Sequence, residues 1–135
     1  MKLLIDANIL LDVLQNRAGF VEDSSLVWKL CETGQAEGIV SALTFANLVY
    51  VMRKELGPEK IEEVCKLLSL IFHFADFSVS DMNRAAEMKW KDFEDAIQSA
   101  TAERASAAYL ITRNVKDFSK SKVPALTPAE FLARL

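Results

Sequence analysis

The sequence predicts an α/β fold in which helices cover both faces of a parallel sheet. Short apolar runs at 3–5, 38–41, 71–75 and 108–111 alternate with longer segments whose apolar residues recur at helical spacing. The first and fourth of these runs end in polar or acidic residues rather than in a tight hairpin turn, which fits parallel strands joined by helical crossovers. A third observation sets the scale: 135 residues, 51% of them hydrophobic, suffice for one sizeable core and one domain over 1–135.

Taken in order, Leu3-Leu4-Ile5 is a fully apolar strand that stops at Asp6, and Ile9, Leu10, Val13 and Leu14 begin a helix with no room for a long loop. Asp6 or Asn8 can cap that helix, since their side-chain oxygens accept from free backbone N–H groups. Asn16 to Gly19 break the pattern, and 24–32 resumes it with Leu26, Val27, Leu30 and Cys31 on one face. Gly34 and Gly38 frame the exit into the strand 38–41. The helix predicted at 43–55 is apolar nearly all round until Arg53 and Lys54, a pattern that predicts burial on most sides. Asn47 is its polar exception, three residues after Thr44, where a capping role competes with a functional one.

Gly57-Pro58 closes that helix and starts the next, because glycine suits the position after a helix and proline the first turn. Ile61, Val64, Cys65, Leu68 and Ile71 then repeat at helical spacing, making 43–56 and 59–71 a candidate antiparallel hairpin. The third strand is expected at 71–75, followed by a helix capped by Ser80 and running through Met88. In the segment from Trp90 to Ala102, Asp92 and Asp95 lie three apart on one helix face, and the Ala and Ser residues that follow allow close packing on a sheet. Acids in a first turn also complement the helix dipole, which accounts for surface carboxylates but not for Asp95 opening the small-residue face. After 108–111 come Thr112-Arg113-Asn114 and Asp117; 123–126 is an edge strand that tolerates Pro124, and Thr127-Pro128-Ala129-Glu130 opens a closing helix through Leu135.

Composition excludes several function classes. The net charge of −3 and a pI near 5.2 rule out a global basic field, so any nucleic-acid contact must be local. His73 is the only histidine, which argues against a His-rich zinc site or a Ser-His-Asp triad. Cys31 and Cys65 lack a CxxC spacing and read as reduced thiols. There is no signal-peptide pattern and no membrane-length apolar stretch, so a soluble, cytoplasmic protein is expected.

The chemistry that remains is carboxylate chemistry. Asp6, Asp95 and Asp117 come from distant parts of the chain, each at or just past an element end that a parallel fold brings to the carboxyl edge of the sheet, where ligands bind. Converging carboxylates repel one another unless a cation neutralises them, and hard oxygen ligands favour Mg²⁺ or Mn²⁺. Such an ion activates water and stabilises an in-line phosphoryl displacement, so phosphodiester hydrolysis is the natural reaction. Arg113, Lys116, Lys120 and Lys122 follow the fourth strand and are the candidate cations for holding RNA phosphates, although a lysine-rich loop is more often simply solvated.

Four segments in this order, Leu4-Ile-Asp-Ala-Asn8, Ser41-Ala-Leu-Thr-Phe-Ala-Asn47, Asp92-Phe-Glu-Asp95-Ala-Ile-Gln-Ser-Ala-Thr-Ala and Ile111-Thr-Arg-Asn-Val-Lys-Asp-Phe118, resemble a PIN domain, and the likeness extends through the ending at 123–132. The resemblance implies a three-layer α/β/α fold with a five-stranded parallel sheet ordered 3-2-1-4-5, and a Mg²⁺- or Mn²⁺-dependent ribonuclease, most often the VapC-type toxin of a toxin–antitoxin pair. It implies an RNA substrate, a small antitoxin partner and a homodimer, for which the apolar helices 43–56 and 59–71 offer surface. Carried over by position, Asp6, Asp95 and Asp117 are the catalytic acids, Asn47 and Asn114 complete the metal set, and Asn8, Asp92 and Thr112 support it. Two positions depart from the pattern: Asn47 stands where a Glu is usual and Asn114 where many members have Asp. An amide keeps an oxygen ligand without its charge, so a catalytically weakened or inert module that binds RNA or protein is the alternative. A phosphate-receiver domain, with Asp76 as the phosphorylated acid, is a third; it has no use for the Asp95 helix.

Overall fold

The computed structural model describes all 135 residues. Five strands, β1 (Lys2–Ile5), β2 (Glu37–Ser41), β3 (His73–Ala75), β4 (Tyr109–Ile111) and β5 (Ala125–Leu126), form one parallel sheet in the order β3-β2-β1-β4-β5. Seven helices connect them: α1 (Ala7–Leu14), α2 (Val21–Glu32), α3 (Ala42–Val51), α4 (Pro58–Ile71), α5 (Val79–Met88), α6 (Phe93–Arg104) and α7 (Pro128–Leu132), with a 3₁₀ turn at Val115–Phe118. The predicted α/β/α class and strand order are those observed.

Strand periodicity explains the layers. Successive side chains point to opposite faces, so Leu3 and Ile5 of β1 join one core with Ile9, Leu10, Val27, Leu48, Leu68 and Phe131. Leu4, Ile39 and Leu110 join the other, against Ala102 of α6 and Phe118. A central strand buried on both faces must be apolar throughout, which is why 3–5 carries no alternation. On the second face α6 lies close because Ala96 to Ala102 are small or short enough to be buried without a break. Arg104 of α6 donates to both carboxylate oxygens of buried Asp81, at 2.8 and 3.0 Å, and pins α5 to α6. On the first face Gly38 is required by contact: a Cβ there would lie 2.6 Å from Phe72 Cδ1 and 2.8 Å from Cys31 Sγ. Both cysteines are free, and burial pushes the Cys31 thiol up to about 11.

Several element bounds shift, each for a local reason. The helix capped by Ser80 is in fact capped by Ser78: its hydroxyl accepts from the Asp81 N–H, Asp81 returns the bond to the Ser78 N–H, and the Ser80 hydroxyl bonds Ser78 instead. α2 starts three residues earlier than Ser24, at Val21. α4 runs to Ile71, so β3 begins at His73 rather than at residue 71, and β5 and α7 are shorter than expected. The helix expected at 43–55 ends at Val51 and is buried only at Thr44 and Leu48, leaving Tyr50 and Val51 exposed. An all-round apolar sequence therefore marks surface here rather than burial on most sides. Nor do α3 and α4 close into a tight hairpin; α4 packs on α2. No helix is long and apolar enough to cross a membrane.

Candidate active site

The register of β1 against β4 pairs Ile5 with Ile111, which sets Asp6 and Thr112 side by side just beyond the carboxyl edge of the sheet. Asp6 Oδ1 accepts from the Ala7 N–H at 2.9 Å, capping α1, and Oδ2 accepts from the Thr112 hydroxyl at 2.9 Å. The capping and site readings of Asp6 are thus compatible, one oxygen serving each. Thr112 Oγ1 also accepts from the Asn114 N–H at 3.1 Å, so the hydroxyl bridges β1 to the loop after β4. Burial pushes the Asp6 carboxyl above its usual range, against the Thr112 hydroxyl, the Ala7 N–H, the Gln98 amide and the positive charge of Arg113, which all hold it down.

Asp95 arrives from the first turn of α6. Asp92 caps that helix by accepting from the Asp95 N–H at 3.0 Å, and so sets the position from which the Asp95 side chain projects. Burial pushes the Asp95 carboxyl up to about 7, helped by the negative charges of Asp92, Asp6, Asp117 and Glu94. Four negative charges thus bear on one carboxylate, an electrostatic condition that a dication relieves.

Two cavities meet at Asp95. One, of about 360 Å³, is lined by Asp6, Asn8, Asn47, Gln98 and Asn114, among others. The second, of about 580 Å³, is lined by Asp92, Asp117, Trp90 and Lys120, with Lys89 and Lys91 beside them. Asp95 is the one residue common to both. Asp117, on the 3₁₀ turn, is exposed and lines only the second cavity. No three of the chain's His, Cys, Asp and Glu side chains gather as a ready-made metal cluster. The donor set beside Asp6 and Asp95 is instead mixed, with amides of Asn47, Gln98 and Asn114 lining the same cavity. Hard oxygen donors of this kind fit Mg²⁺ or Mn²⁺ and would hold it with less charge than three carboxylates.

Asn47 does not cap α3; Ser41 does, accepting from the Leu43 N–H at 3.2 Å. The Asn47 amide donates to Glu94 Oε2 at 3.3 Å, which brings a carboxylate next to the position that lacks one. Asn8 faces the cavity while its Oδ1 accepts from Arg17 at 3.1 Å. Of the basic residues read as an RNA grip, Lys120 lines a cavity with the acids, whereas Lys116 is exposed away from both and Lys122 lies 4.0 Å from Glu103. Arg113 turns inward: its guanidinium stacks on Phe20, 4.1 Å from the ring centroid, and reaches 3.7 Å from Asp12 Oδ1.

Three residues carry weight that the linear sequence did not signal. Asp12 is fully buried, bonded by the Ser24 hydroxyl at 2.8 Å, with Arg17 at 3.9 Å and Arg113 at 3.7 Å from its Oδ1, so it ties α2 and the loop after β4 to α1. Its place in an apolar helix, one turn after Asn8, was the available clue. Gln98, nearly buried, donates to the Thr44 hydroxyl at 2.8 Å and leaves Oε1 buried without a partner. A glutamine among the small residues of α6 was the second clue. Glu94 was visible only as one of three acids in a first turn.

A PIN domain family model matches residues 2–116, most of the chain. The chain belongs to the PIN domain family. No curated protein matches this PIN domain by sequence. Among solved structures it is similar to a toxin–antitoxin complex from Klebsiella pneumoniae, at 26% identity and a TM-score of 0.71 over 93% of this chain and 96% of that one. FitAcB from Neisseria gonorrhoeae matches at 20% identity and a TM-score of 0.71, covering 94% of this chain and 98% of that one. VapC20 from Mycobacterium tuberculosis, described as a toxin that cleaves the sarcin–ricin loop, matches at 10% identity and a TM-score of 0.64, over 80% and 86% of the two chains. This PIN domain thus shares its fold with proteins of toxin–antitoxin systems.

Proposed function

We propose that this PIN domain, a single unit over residues 1–135, is a Mg²⁺- or Mn²⁺-dependent endoribonuclease and the toxin component of a toxin–antitoxin pair, acting on RNA in the cytoplasm. The observation that carries the reading is the meeting of Asp6 and Asp95, delivered by β1 and α6, in one cavity at the carboxyl edge of the sheet. In this reading Asp6 and Asp95 hold the ion, with amide oxygens of Asn47 and Asn114 beside them. When bound, the ion supplies an activated water and charge stabilisation for an in-line displacement at phosphorus. The chain's own contribution is placement: the Thr112 hydroxyl and Ala7 N–H fix both oxygens of Asp6, and Asp92 fixes the turn that carries Asp95. In this reading Asp117, exposed on the second cavity that Asp95 borders, is the further acid that takes up a proton from water or substrate.

The test is cleavage of RNA by the purified protein with Mn²⁺ or Mg²⁺, beside an Asp95→Asn variant. Metal-dependent cleavage lost in the variant supports the reading; cleavage that persists in EDTA or in the variant removes it. A second reading, a weakened or inert member that binds RNA or protein, is favoured by Asn47, whose amide is engaged with Glu94. It predicts RNA binding without turnover. For the partner, the exposed apolar side chains Tyr50 and Val51 of α3, beside the Asp6 cavity, are the surface we assign to an antitoxin, as the Klebsiella relative is a toxin–antitoxin complex. Copurification from the native host tests that assignment.

A further inference from the structure

We propose that the cavity between Trp90 and Asp117 is a subsite for one unpaired nucleotide of an RNA strand, with Trp90 as the platform for its base and Lys89, Lys91 and Lys120 holding the adjoining phosphates. The proposal rests on the ribonuclease reading and adds to it a place for the strand. At about 580 Å³ this is the larger of the two cavities that meet at Asp95. Trp90 is the only apolar residue among the eight that line it, and three of the others are lysines. The three ammonium groups share this lining with the carboxylates of Asp92, Asp95 and Asp117, so in a chain of net charge −3 the cavity is locally balanced and its lysines offer phosphates a partner beside the acids.

The platform is held rather than loose. Trp90 is partly buried, packs edge-on against Phe118 at 6.1 Å between ring centroids, and joins the small cluster of Ala85, Ala96 and Ile97. Behind it, the Ser99 and Ser121 hydroxyls bond at 2.8 Å and tie the loop that carries Ser119 and Lys120 to α6. Lys89 closes α5 in a left-handed conformation, φ +57°, a position that glycine fills most easily. An aromatic ring with lysines on either side of it is the arrangement by which proteins hold single strands, one stacked base at a time. A strand lying here also meets Asp95, the residue shared with the Asp6 cavity, so it leads its phosphates toward the proposed metal position.

A packing role for Trp90 is the competing explanation, and base removal separates the two. Binding of an unstructured RNA hexanucleotide, and of versions with an abasic residue at each position in turn, is measured by fluorescence anisotropy with the full chain in EDTA. Cleavage of the intact strand in Mn²⁺ is measured in parallel. The wild type should lose affinity about 5- to 150-fold at one abasic position, the range expected for one stacked base. Trp90→Leu should lose the same factor on the intact strand and show no abasic penalty, whereas Trp90→Phe stays within a few-fold of wild type. Lys89→Ala, Lys91→Ala and Lys120→Ala should each lower the slope of log affinity against log salt by about 0.7. Wild-type binding that is indifferent to every abasic position, together with Mn²⁺-dependent cleavage, overturns the subsite and leaves the ribonuclease reading standing. Absence of both binding and cleavage overturns both. If Trp90→Leu fails to fold, the abasic series on the wild type and the lysine variants still decide the matter.

Discussion

Thr112 and Asp6, separated by 106 residues in sequence, share a hydrogen bond of 2.9 Å from the threonine hydroxyl to Asp6 Oδ2. That one bond joins the ends of β1 and β4 and orients a carboxylate that burial alone would leave protonated more often. Replacing Thr112 with Val removes it together with the acceptor for the Asn114 N–H. A buried polar group left unpaired costs about 1–3 kcal/mol, so Thr112→Val should unfold at lower denaturant and cleave RNA more slowly, while Thr112→Ser should retain most of both. Equal stability and activity in wild type and Thr112→Val would show that the bond does not position Asp6.

Asp6→Asn and Asp95→Asn should each abolish metal-dependent RNA cleavage with the far-ultraviolet circular dichroism unchanged. Cleavage at wild-type rates by both variants would remove these residues from the reaction.

In the metal-free protein, stability should fall as pH rises between about 4 and about 7. The Asp95 carboxyl titrates near 7 when folded and near 3.8 when unfolded, so within that window the folded chain binds the proton and the unfolded chain does not. Above pH 7 the contribution is gone and four neighbouring acids face an ionised Asp95. Asp95→Asn should consequently raise the metal-free melting temperature at pH 8 and much less at pH 5. Thermal melts at the two pH values check the sign, and added Mn²⁺ should stabilise the wild type more than the variant at pH 8.

Asn47→Glu adds a carboxylate beside Glu94 and the Asp6 cavity. Calorimetric Mn²⁺ titration should show tighter binding than in wild type, and the metal-free variant should melt lower because like charges are brought together. Unchanged affinity would move residue 47 out of the metal's reach.

Arg113 separates two roles cleanly. Held between Phe20 and the buried Asp12, it should act on stability: Arg113→Ala leaves Asp12 with Arg17 and the Ser24 hydroxyl, and a buried polar group left short of a partner costs about 1–3 kcal/mol. Chemical denaturation measures this directly. A loss of RNA affinity with no loss of stability would instead return Arg113 to the substrate side.

The layered α/β architecture is written in the chain's apolar pattern, because a strand buried on both faces must be apolar throughout and a crossover helix must show a 3.6-residue stripe. Asp6 stood out because it follows directly on an apolar strand, and Asp95 because it opens the small-residue face of α6. Helix caps were less secure, as Ser78 and Ser80 show, since two hydroxyls two residues apart offer nearly the same local pattern. Only the tertiary structure decided that Arg113 turns back onto Asp12 and Phe20, that Asn47 meets Glu94, that Gln98 reaches Thr44, and that α3 keeps apolar side chains at the surface. Periodicity reports which side of a helix is apolar and is silent on what packs against it. Those contacts join residues about 47 to 100 positions apart, and the direction of a long side chain follows from what surrounds it in space, not from its neighbours in the chain.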